Sequence, residues 1–236
     1  MIIGFSTGAI ALGNFTRALT LLGETNANAV ELSALRSVEL PLLIEALPLL
    51  LSSIKDRYEY ISFHAPTDFE DDRELVDQLI PVAKMGLNVI VHPDTIHEVS
   101  HWRELGDRLC IENMDSRKET GRTVEELSIF FRALPDARLC FDIAHARQVD
   151  VTMTEAARII SRFGDRLAQV HVSELNSKGK HFPMSFLAKG AYEQFAEVLS
   201  QVPVILESVV SETGIALELR EIERVLTHND QFATRE

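Results

Sequence analysis

The sequence predicts an α/β protein built as a single (β/α)8 barrel. Eight short apolar segments end at residues 6, 32, 64, 92, 112, 142, 171 and 207, each followed by a helical pattern. The mean step of about 29 residues is the length of one strand–helix unit. The segments are continuous runs rich in Val, Ile and Leu, as expected for parallel strands buried on both faces. Eight such units in order favour a closed barrel.

An open, doubly wound sheet is the competing arrangement, because it also alternates strands with helices. Such a sheet often carries a glycine-rich phosphate loop after its first strand, and the segment Ser6-Thr-Gly-Ala is too short to be one. We therefore predict one barrel domain over residues 1–236. The last eight or so residues are expected to form a polar tail.

Local signals place the elements in order along the chain. The predicted strands are 2–6, 29–32, 60–64, 89–92, 109–112, 139–142, 167–171 and 204–207. The predicted helices are 14–22, 42–51, 71–84, 100–105, 123–134, 154–163, 191–199 and 214–226. Acidic residues at the start of the helix 71–84 suit the positive end of its dipole. Thr123 and Glu126 predict a capping box at the start of the helix 123–134.

Composition is that of an ordinary globular protein, with 46% hydrophobic and 25% charged residues. We expect a cytoplasmic protein with no membrane partner, because no apolar run approaches about 18 residues and the N-terminus lacks the basic stretch of a signal peptide. The two cysteines fit a reducing compartment. Cys110 and Cys140 each lie two residues before a strand-end acid, which predicts buried free thiols.

The formal charge of −13 disfavours a nucleic-acid partner, since such binding usually rests on a basic surface. It does not exclude one, because bound divalent cations would offset several charges locally. We therefore expect a small-molecule substrate. A homodimer is the default expectation for an oligomer, on general grounds and not on any feature of this chain.

Six of the predicted strands end at a residue whose side chain can bind a metal ion. Asp142 ends an apolar run and His145 follows three residues later, a natural pair of ligands. The six strand-end residues are His64, His92, Glu112, Asp142, His171 and Glu207. The C-terminal ends of barrel strands form one catalytic face, so we expect these side chains to converge around one mouth. Such a set, without thiolate, suits zinc, manganese, iron or cobalt.

These strand ends resemble the motifs of the xylose isomerase-like TIM-barrel superfamily. That group includes apurinic endonucleases of the endonuclease IV type and sugar and sugar-phosphate isomerases and epimerases. The matching segments run in order along the whole chain: 63–66, 91–93, 110–113, 142–145, 171–179 and 206–207. The resemblance implies a metal-dependent enzyme with a divalent ion such as manganese, zinc, cobalt or magnesium. It separates the members of the superfamily poorly, so two patterns stay open.

The first pattern is that of an epimerase with one divalent ion. Here the resemblance implies that the ion is held by Glu112, Asp142, His171 and Glu207. Glu112 and Glu207 would exchange a proton on opposite sides of a carbon next to a carbonyl, while the ion stabilises the enediolate. Substrate hydroxyl groups would be held by His145 and Glu174, and the other residues expected to contact the substrate are His64, His92 and Asn176.

The second pattern is that of a nuclease with three zinc ions. The resemblance assigns His64, His92 and Glu112 to one ion and the four-residue set above to the next. His145 and a later Asp-x-His would bind the third ion. His181 matches the last residue of that motif, but Gly179 stands where its Asp should be, so the third ion would lose a charged ligand. A site with two ions remains open.

Several polar residues near the strand ends have two readings. Glu31 predicts either a substrate contact or a buried salt bridge. Lys178, with Lys180 and Lys189, either meets an anionic substrate or is a solvated surface lysine. The same two readings apply to the basic residues after the fifth strand, which are Arg117, Lys118 and Arg122.

The leading hypothesis is a metal-dependent isomerase or epimerase that acts on a small sugar, sugar phosphate or related polyol. The alternative is a zinc phosphodiesterase of the endonuclease IV type that cleaves abasic DNA or another phosphodiester. A third reading is a barrel that has lost catalysis and binds a ligand. The sequence does not specify the substrate, because barrels of this kind build specificity in their loops.

Overall fold

The molecule is a closed barrel of eight parallel strands, as predicted. The computed structural model describes residues 1–227, so the predicted polar tail and His228 lie outside the described residues. Around the barrel the strands follow the order 3–6, 204–206, 167–172, 138–142, 109–112, 88–91, 60–64 and 29–33, and every neighbouring pair is parallel. A two-stranded antiparallel hairpin of residues 174–175 and 181–182 stands apart from the barrel.

The elements alternate along the chain. The barrel strands are β1 (Ile3–Ser6), β2 (Ala29–Ser33), β3 (Tyr60–His64), β4 (Asn88–Val91), β5 (Leu109–Glu112), β6 (Arg138–Asp142), β7 (Leu167–Val172) and β10 (Val204–Leu206), and the hairpin strands are β8 (Glu174–Leu175) and β9 (His181–Phe182). The helices are α1 (Thr7–Ile10), α2 (Phe15–Gly23), α3 (Leu40–Ile54), α4 (Asp72–Lys84), α5 (Val99–Trp102), α6 (Val124–Ala133), α7 (Ile143–Val149), α8 (Thr154–Phe163), α9 (Phe186–Glu193), α10 (Ala196–Leu199) and α11 (Ile215–Thr227).

Of the described helices, five begin at side chains that accept a hydrogen bond from the first turn, and three of these precede β6. Asn14, Asp71 and Thr123 cap α2, α4 and α6 through the backbone N–H three residues later. The predicted capping box is only half formed. Glu126 does not return a bond to the N-cap residue; its carboxylate accepts instead from the backbone N–H of Arg122, at 2.7 Å.

The structure differs from the prediction after strands β6 and β7. The predicted ranges leave His145 in the connection 143–153, but it lies in the short helix α7 because Asp142 accepts a hydrogen bond from the backbone N–H of His145 at 2.7 Å and so caps the helix. The connection 172–190, between the predicted seventh strand and its helix, contains the hairpin β8-β9. Helix α9 then begins at Phe186 rather than near 191, because Ser185 caps it.

The expectation that no apolar run approaches membrane-spanning length is wrong for one stretch. Among the described residues, the stretch Ser37–Ile54 is long and apolar enough by length and composition to cross a membrane, with a mean hydropathy of 1.6. In the barrel its helix α3 packs Leu40, Leu43 and Leu47 into the core. Other apolar side chains of the stretch, including Leu42 and Leu49, are exposed.

Side chains from four strands fill the barrel interior below the mouth. Cys110 and Cys140 cluster there with Ile90 and Ala168, all buried. Both thiols are free, which confirms the predicted buried cysteines. The wall is tight between β1 and β2, where a Cβ on Gly4 would lie 1.7 Å from the carbonyl oxygen of Ala29. Only glycine allows this approach of the two strands.

Candidate metal centre

The strand ends meet at one cavity of about 360 Å3 at the C-terminal mouth of the barrel. A pocket of this size holds a small ligand. Six of the predicted site residues line it: His64, His92, Glu112, His145, His181 and Glu207. Asp142 and His171 are fully buried in its floor, where both contact neighbouring site residues.

Glu112, at the end of β5, is the centre of the cluster. Its Oε2 atom lies 3.4 Å from His64 Nε2 and 3.3 Å from His92 Nε2. Its Oε1 atom lies 3.2 Å from His145 Nδ1 and 3.5 Å from His171 Nδ1. Each carboxylate oxygen of Glu112 therefore faces a different pair of histidines.

Among the described residues, three groups of ligand atoms share Glu112: one joins it to Cys140 and His171, and the other two match the groups assigned from the sequence motifs. Atoms of His64, His92 and Glu112 lie within 4.8 Å of one another, and so do atoms of a second group: Glu112, Asp142, His171 and Glu207. Both groups had been assigned from the sequence motifs. A carboxylate that belongs to two such groups can bridge two cations, because each oxygen has its own lone pairs.

Three of the histidines have one ring nitrogen fixed by an acceptor, which leaves the other for a cation. His64 Nδ1 lies 2.8 Å from the carbonyl oxygen of Ala65, and His145 Nδ1 lies 2.9 Å from that of Asn113. His171 Nε2 lies 3.1 Å from Glu31 Oε2, so its Nδ1 atom faces the cluster. Metal-binding histidines almost always show such a second partner.

Buried polar atoms without a hydrogen-bond partner converge on the same place. Among the described residues these atoms include Glu112 Oε2, Asp142 Oδ2 and His171 Nδ1. Buried polar groups are nearly always paired, and leaving one unpaired costs about 1–3 kcal/mol. Three such atoms in one cluster fit a site for divalent cations, which would satisfy them together.

Protonation in the cluster follows from burial and from the mixture of acids and histidines. Burial raises the pKa of Glu207 to about 7, although His171 opposes the shift. Burial alone would lower the pKa of His145, but Asp142 and Glu112 raise it to about 10. Burial and the charge of His145 lower the pKa of His181 to about 3. Bound protons and the positive charge of histidine thus offset the negative charge of the buried carboxylates. Bound divalent cations would offset the same charge.

The third ligand position of the nuclease pattern is altered. His145 and His181 lie side by side, with ring centroids 5.8 Å apart. Among the described residues, neither belongs to a group of three or more clustered ligands. A Cβ on Gly179 would lie 1.8 Å from the guanidinium carbon of Arg117. An arginine therefore occupies the space where a side chain at position 179 would reach, which disfavours a third cation.

Glu174, predicted to hold a substrate hydroxyl, does not line the cavity. Its Oε1 atom lies 3.2 Å from the Arg147 guanidinium, and its Oε2 atom accepts from the backbone N–H of Ser185 at 2.6 Å. Both oxygens are thus used where the hairpin joins α9.

Asn176 and Lys178 also lie away from the cavity lining. The Oδ1 atom of Asn176 accepts from the backbone N–H groups of Lys178 and Lys180, at 2.8 and 3.1 Å, so it closes the turn of the hairpin. Lys189 pairs with Glu221. The substrate contacts through Glu174, Asn176 and Lys178 stay predictions. In this arrangement the Glu174 carboxylate and the Asn176 Oδ1 atom already have partners in or next to the hairpin.

Glu31 is a buried partner rather than a residue at the mouth. It is 0% exposed, and its Oε2 atom lies within hydrogen-bond distance of His171, Gln169 and Ser62. Of the two readings of Glu31, the buried ion pair agrees with the structure. Its contact with His171 lowers the pKa of Glu31 against the opposing effect of burial.

Sequence reasoning missed two polar side chains that support the site. Asn113 is fully buried and bonds both backbone groups of Asp142, each at 2.8 Å, which fixes β5 against β6. Gln169 donates to Glu31 at 2.7 Å. The available signal was position, because Asn113 follows Glu112 directly and Gln169 precedes His171 by two residues.

Of the three basic residues after β5, Arg117 and Lys118 line the cavity and Arg122 does not. Arg122 pairs with Glu126 one helical turn away. The sequence treated the three alike, since their spacing does not show which loop residues turn towards the mouth.

No family model and no curated protein matches the sequence of this chain. Solved structures do match its fold. Endonuclease IV from Thermus thermophilus is 19% identical, with a TM-score of 0.63, over 97% of this chain and 100% of that one. 3-Keto-D-glucoside 4-epimerase from E. coli is 15% identical, with a TM-score of 0.62, over 96% and 99%.

A xylose isomerase-like TIM-barrel protein from Mycobacterium smegmatis, solved in complex with magnesium, is 14% identical, with a TM-score of 0.61, over 97% of this chain and 96% of that one. These structures share one fold and differ in the activities that their names state. The chain therefore has the xylose isomerase-like TIM-barrel fold, which confirms the resemblance that the strand-end motifs indicated. A reaction can therefore be assigned to this chain only from its own site residues.

Proposed function

We propose that this xylose isomerase-like barrel is a metal-dependent hydrolase that cleaves a phosphoester of a small molecule at a centre of two divalent cations. The observation that carries the proposal is the position of Glu112 between two groups of ligands. His64, His92 and Glu112 would hold one cation, and Glu112, Asp142, His171 and Glu207 would hold the other. This donor set suits zinc, manganese or cobalt.

The contacts of Glu112 argue for hydrolysis over proton transfer from carbon. A glutamate that removes a proton from carbon needs an oxygen free to face the substrate. Both oxygens of Glu112 instead face histidines, with His64 and His92 on one side and His145 and His171 on the other. Glu112 therefore fits the role of a bridging ligand better than that of a base.

Divalent cations held there would polarise the phosphoryl group of the substrate and lower the pKa of a water molecule towards neutrality. The chain supplies the geometry around them. Asn113 and Glu31 fix the orientations of His145 and His171, and the rings of His64, His92, His145 and His181 line the cavity. Hydrolysis joins the water oxygen to phosphorus, breaks the bond to the alcohol oxygen and delivers one proton to that oxygen, so no further reactant is needed.

His145 is the residue that fits a role towards the leaving group. Its Nδ1 atom lies in a hydrogen bond with the carbonyl oxygen of Asn113, which leaves Nε2 for the cavity that the ring lines. Against the effect of burial, Asp142 and Glu112 raise the pKa of His145 to about 10, so this imidazole can hold the proton that the alcohol oxygen gains. His181, held through Nδ1 by Ser173 Oγ, has a pKa lowered to about 3 and fits a role as a neutral hydrogen-bond partner.

A small-molecule substrate is part of the proposal. The formal charge of −13 opposes a long nucleic-acid footprint, and the cavity of about 360 Å3 suits a small ligand. Similarity in fold to endonuclease IV supports a phosphoester as the bond that is cleaved.

The test combines metal content with turnover. We expect two metal atoms per chain by elemental mass spectrometry after purification without chelator, and hydrolysis of small phosphoesters by that protein. His92→Ala should reduce the metal content towards one and abolish hydrolysis. His101→Ala is the matched control, because His101 lies on α5 and does not line the cavity.

One metal atom per chain, unchanged by His92→Ala, would contradict the two-cation centre. It would favour the second candidate, a sugar epimerase or isomerase. The complete group Glu112, Asp142, His171 and Glu207 favours that candidate, as does the similarity to an epimerase. Exchange of a substrate carbon-bound hydrogen with deuterated water, lost in Glu207→Gln, would identify it. Metal binding without any turnover would indicate the non-catalytic barrel.

A further inference from the structure

Arg117 is held rigidly in the wall of the cavity. Its Nε and Nη2 atoms donate to the two oxygens of Asp115, at 2.9 and 2.7 Å, and its Nη1 atom donates to the carbonyl oxygen of Lys178 at 2.8 Å. Asp115 is itself buried. A guanidinium carries five N–H donors. Two of them have no hydrogen-bond partner within residues 1–227 and remain for a ligand.

The hairpin β8-β9 closes over this guanidinium at Gly179. A Cβ at that position would lie 1.8–2.2 Å from Arg117 Cζ, Nη1 and Nη2. Gly179 also has a φ of +67°, which favours glycine for the backbone alone. Because position 179 carries no side chain, the guanidinium of Arg117 has room there. His181 follows two residues later in the chain.

Lys118 adds a second cation to the same wall. Its Nζ atom lies 2.8 Å from Asp94 Oδ2, and the side chain is only partly exposed. Arg117 and Lys118 follow β5 and both line the cavity. An ammonium keeps further donors after one ion pair, so the two residues together present a fixed cationic surface to the mouth.

The opposite wall of the cavity is apolar. Leu12 follows β1, Leu35 follows β2 and Val209 follows β10, and all three line the cavity. In the ring of eight strands β5 lies opposite β1, four places away in either direction. Leu12 and Val209 are 60% and 61% exposed, which is high for large apolar side chains at the edge of a site.

We infer that the substrate is a small amphipathic phosphoester, with its phosphoryl oxygens on Arg117 and Lys118 and an apolar alcohol part against Leu12, Leu35 and Val209. The inference rests on the proposed function, because the ligand groups of the metal centre lie between the two walls. Arg117 is then a residue that determines specificity. Its guanidinium places positive charge in a space that a side chain at position 179 would otherwise occupy.

Binding of inorganic phosphate to the metal-loaded protein tests the cationic wall. We expect Arg117→Gln to raise the Kd of phosphate about 10-fold, the usual effect of losing a charged hydrogen bond at a partly exposed site. The matched control is Arg122→Gln, which removes an arginine from the same loop but outside the cavity and should change the Kd less than about 2-fold, within the scatter of surface variants.

A second variant keeps the charge and moves the guanidinium. Gly179→Ala should also weaken phosphate binding, because the new Cβ would displace the guanidinium of Arg117. Gly86→Ala is its control, since Gly86 has a φ of +91° with no atom in contact range of a Cβ. It imposes the backbone strain without the displacement, so phosphate binding should stay as in the unaltered protein.

Phenyl phosphate tests the apolar wall. The protein should bind phenyl phosphate more tightly than inorganic phosphate, and Leu12→Ser combined with Val209→Ser should remove that preference. Val151→Ser is the control, because Val151 is also exposed but lies away from the cavity.

Metal content, measured in every variant, separates the two levels of interpretation. Protein that takes up no metal refutes the proposed function. Protein that takes up metal but binds no phosphate refutes the inference about Arg117. So does phosphate binding by Arg117→Gln and Gly179→Ala that is as tight as in the unaltered protein. An equal affinity for phenyl and inorganic phosphate refutes the apolar subsite.

Discussion

Replacement of Glu31 by Gln tests whether His171 is a metal ligand through its Nδ1 atom. The Oε2 atom of Glu31 lies 3.1 Å from His171 Nε2, and both side chains are 0% exposed. Because both side chains are shielded from bulk solvent, the carboxylate holds the imidazole in one orientation and increases its basicity. Gln has the same shape and keeps an acceptor oxygen, so the variant removes the charge with little change in packing.

The expected loss follows from the kind of contact. Removing a carboxylate that supports a metal-binding histidine lowers metal affinity by about 10–100-fold, or about 1.4–2.8 kcal/mol. The effect should fall mainly on one of the two metal equivalents, because His171 belongs to the group with Asp142 and Glu207 but not to the group with His64 and His92.

Competition with a chromophoric chelator would measure the two affinities separately. Glu155→Gln serves as the control, because Glu155 is also a buried carboxylate, accepting from the backbone N–H of Val124 at 2.7 Å, outside the cavity. Glu31→Gln protein that keeps its thermal midpoint and both metal affinities would refute the orientation that we assign to His171.

Three further predictions concern stability. Chelation should lower Tm by about 5–10 °C, and added zinc should restore it, since a ligand at 100 times its Kd stabilises the folded state by about 2.7 kcal/mol; an unchanged Tm in a thermal scan would contradict a metal site in the folded protein. Asp72→Ala should lower the free energy of unfolding, measured in urea, by about 3 kcal/mol, because it leaves the buried Trp102 indole N–H and two backbone N–H groups without their acceptor. A loss below about 1 kcal/mol would argue against those bonds. In metal-free protein, burial raises the pKa of Glu207 from 4.5 to about 7, so its contribution to stability is complete below pH 4.5 and is lost as the pH rises through 7. The stability of the unaltered chain relative to Glu207→Gln should therefore fall over that window, and a rise would reverse the assigned direction of the shift.

The barrel and the ligand set were predictable because they depend on local patterns. Short apolar runs at regular spacing specify buried parallel strands, and a closed barrel brings all their C-terminal ends to one mouth. Once the topology is known, the convergence of residues as distant as His64 and Glu207 follows without further information. The two buried cysteines were predictable for the same reason, since alternate residues of a strand share a face.

The role of each loop residue was not predictable, because it depends on contacts between segments distant in sequence. Glu174 and Asn176 match a substrate-binding motif, yet the hairpin takes up their polar atoms. Glu31 reaches His171 across 140 positions of the chain. The half-formed capping box at Thr123 is another contact that could not be predicted. The Glu126 carboxylate accepts a hydrogen bond from the backbone N–H of Arg122 instead of from the N-cap residue.

By itself, the sequence determined the barrel and the set of side chains at its mouth, since hydrophobic periodicity and strand-end position are encoded locally. Only the tertiary structure decided how those side chains divide into two groups around Glu112. It also decided that Arg117 fills the space beside Gly179, and that an apolar wall faces it. These features depend on which loops pack against one another, and side-chain packing across a barrel mouth leaves no periodic trace in the chain.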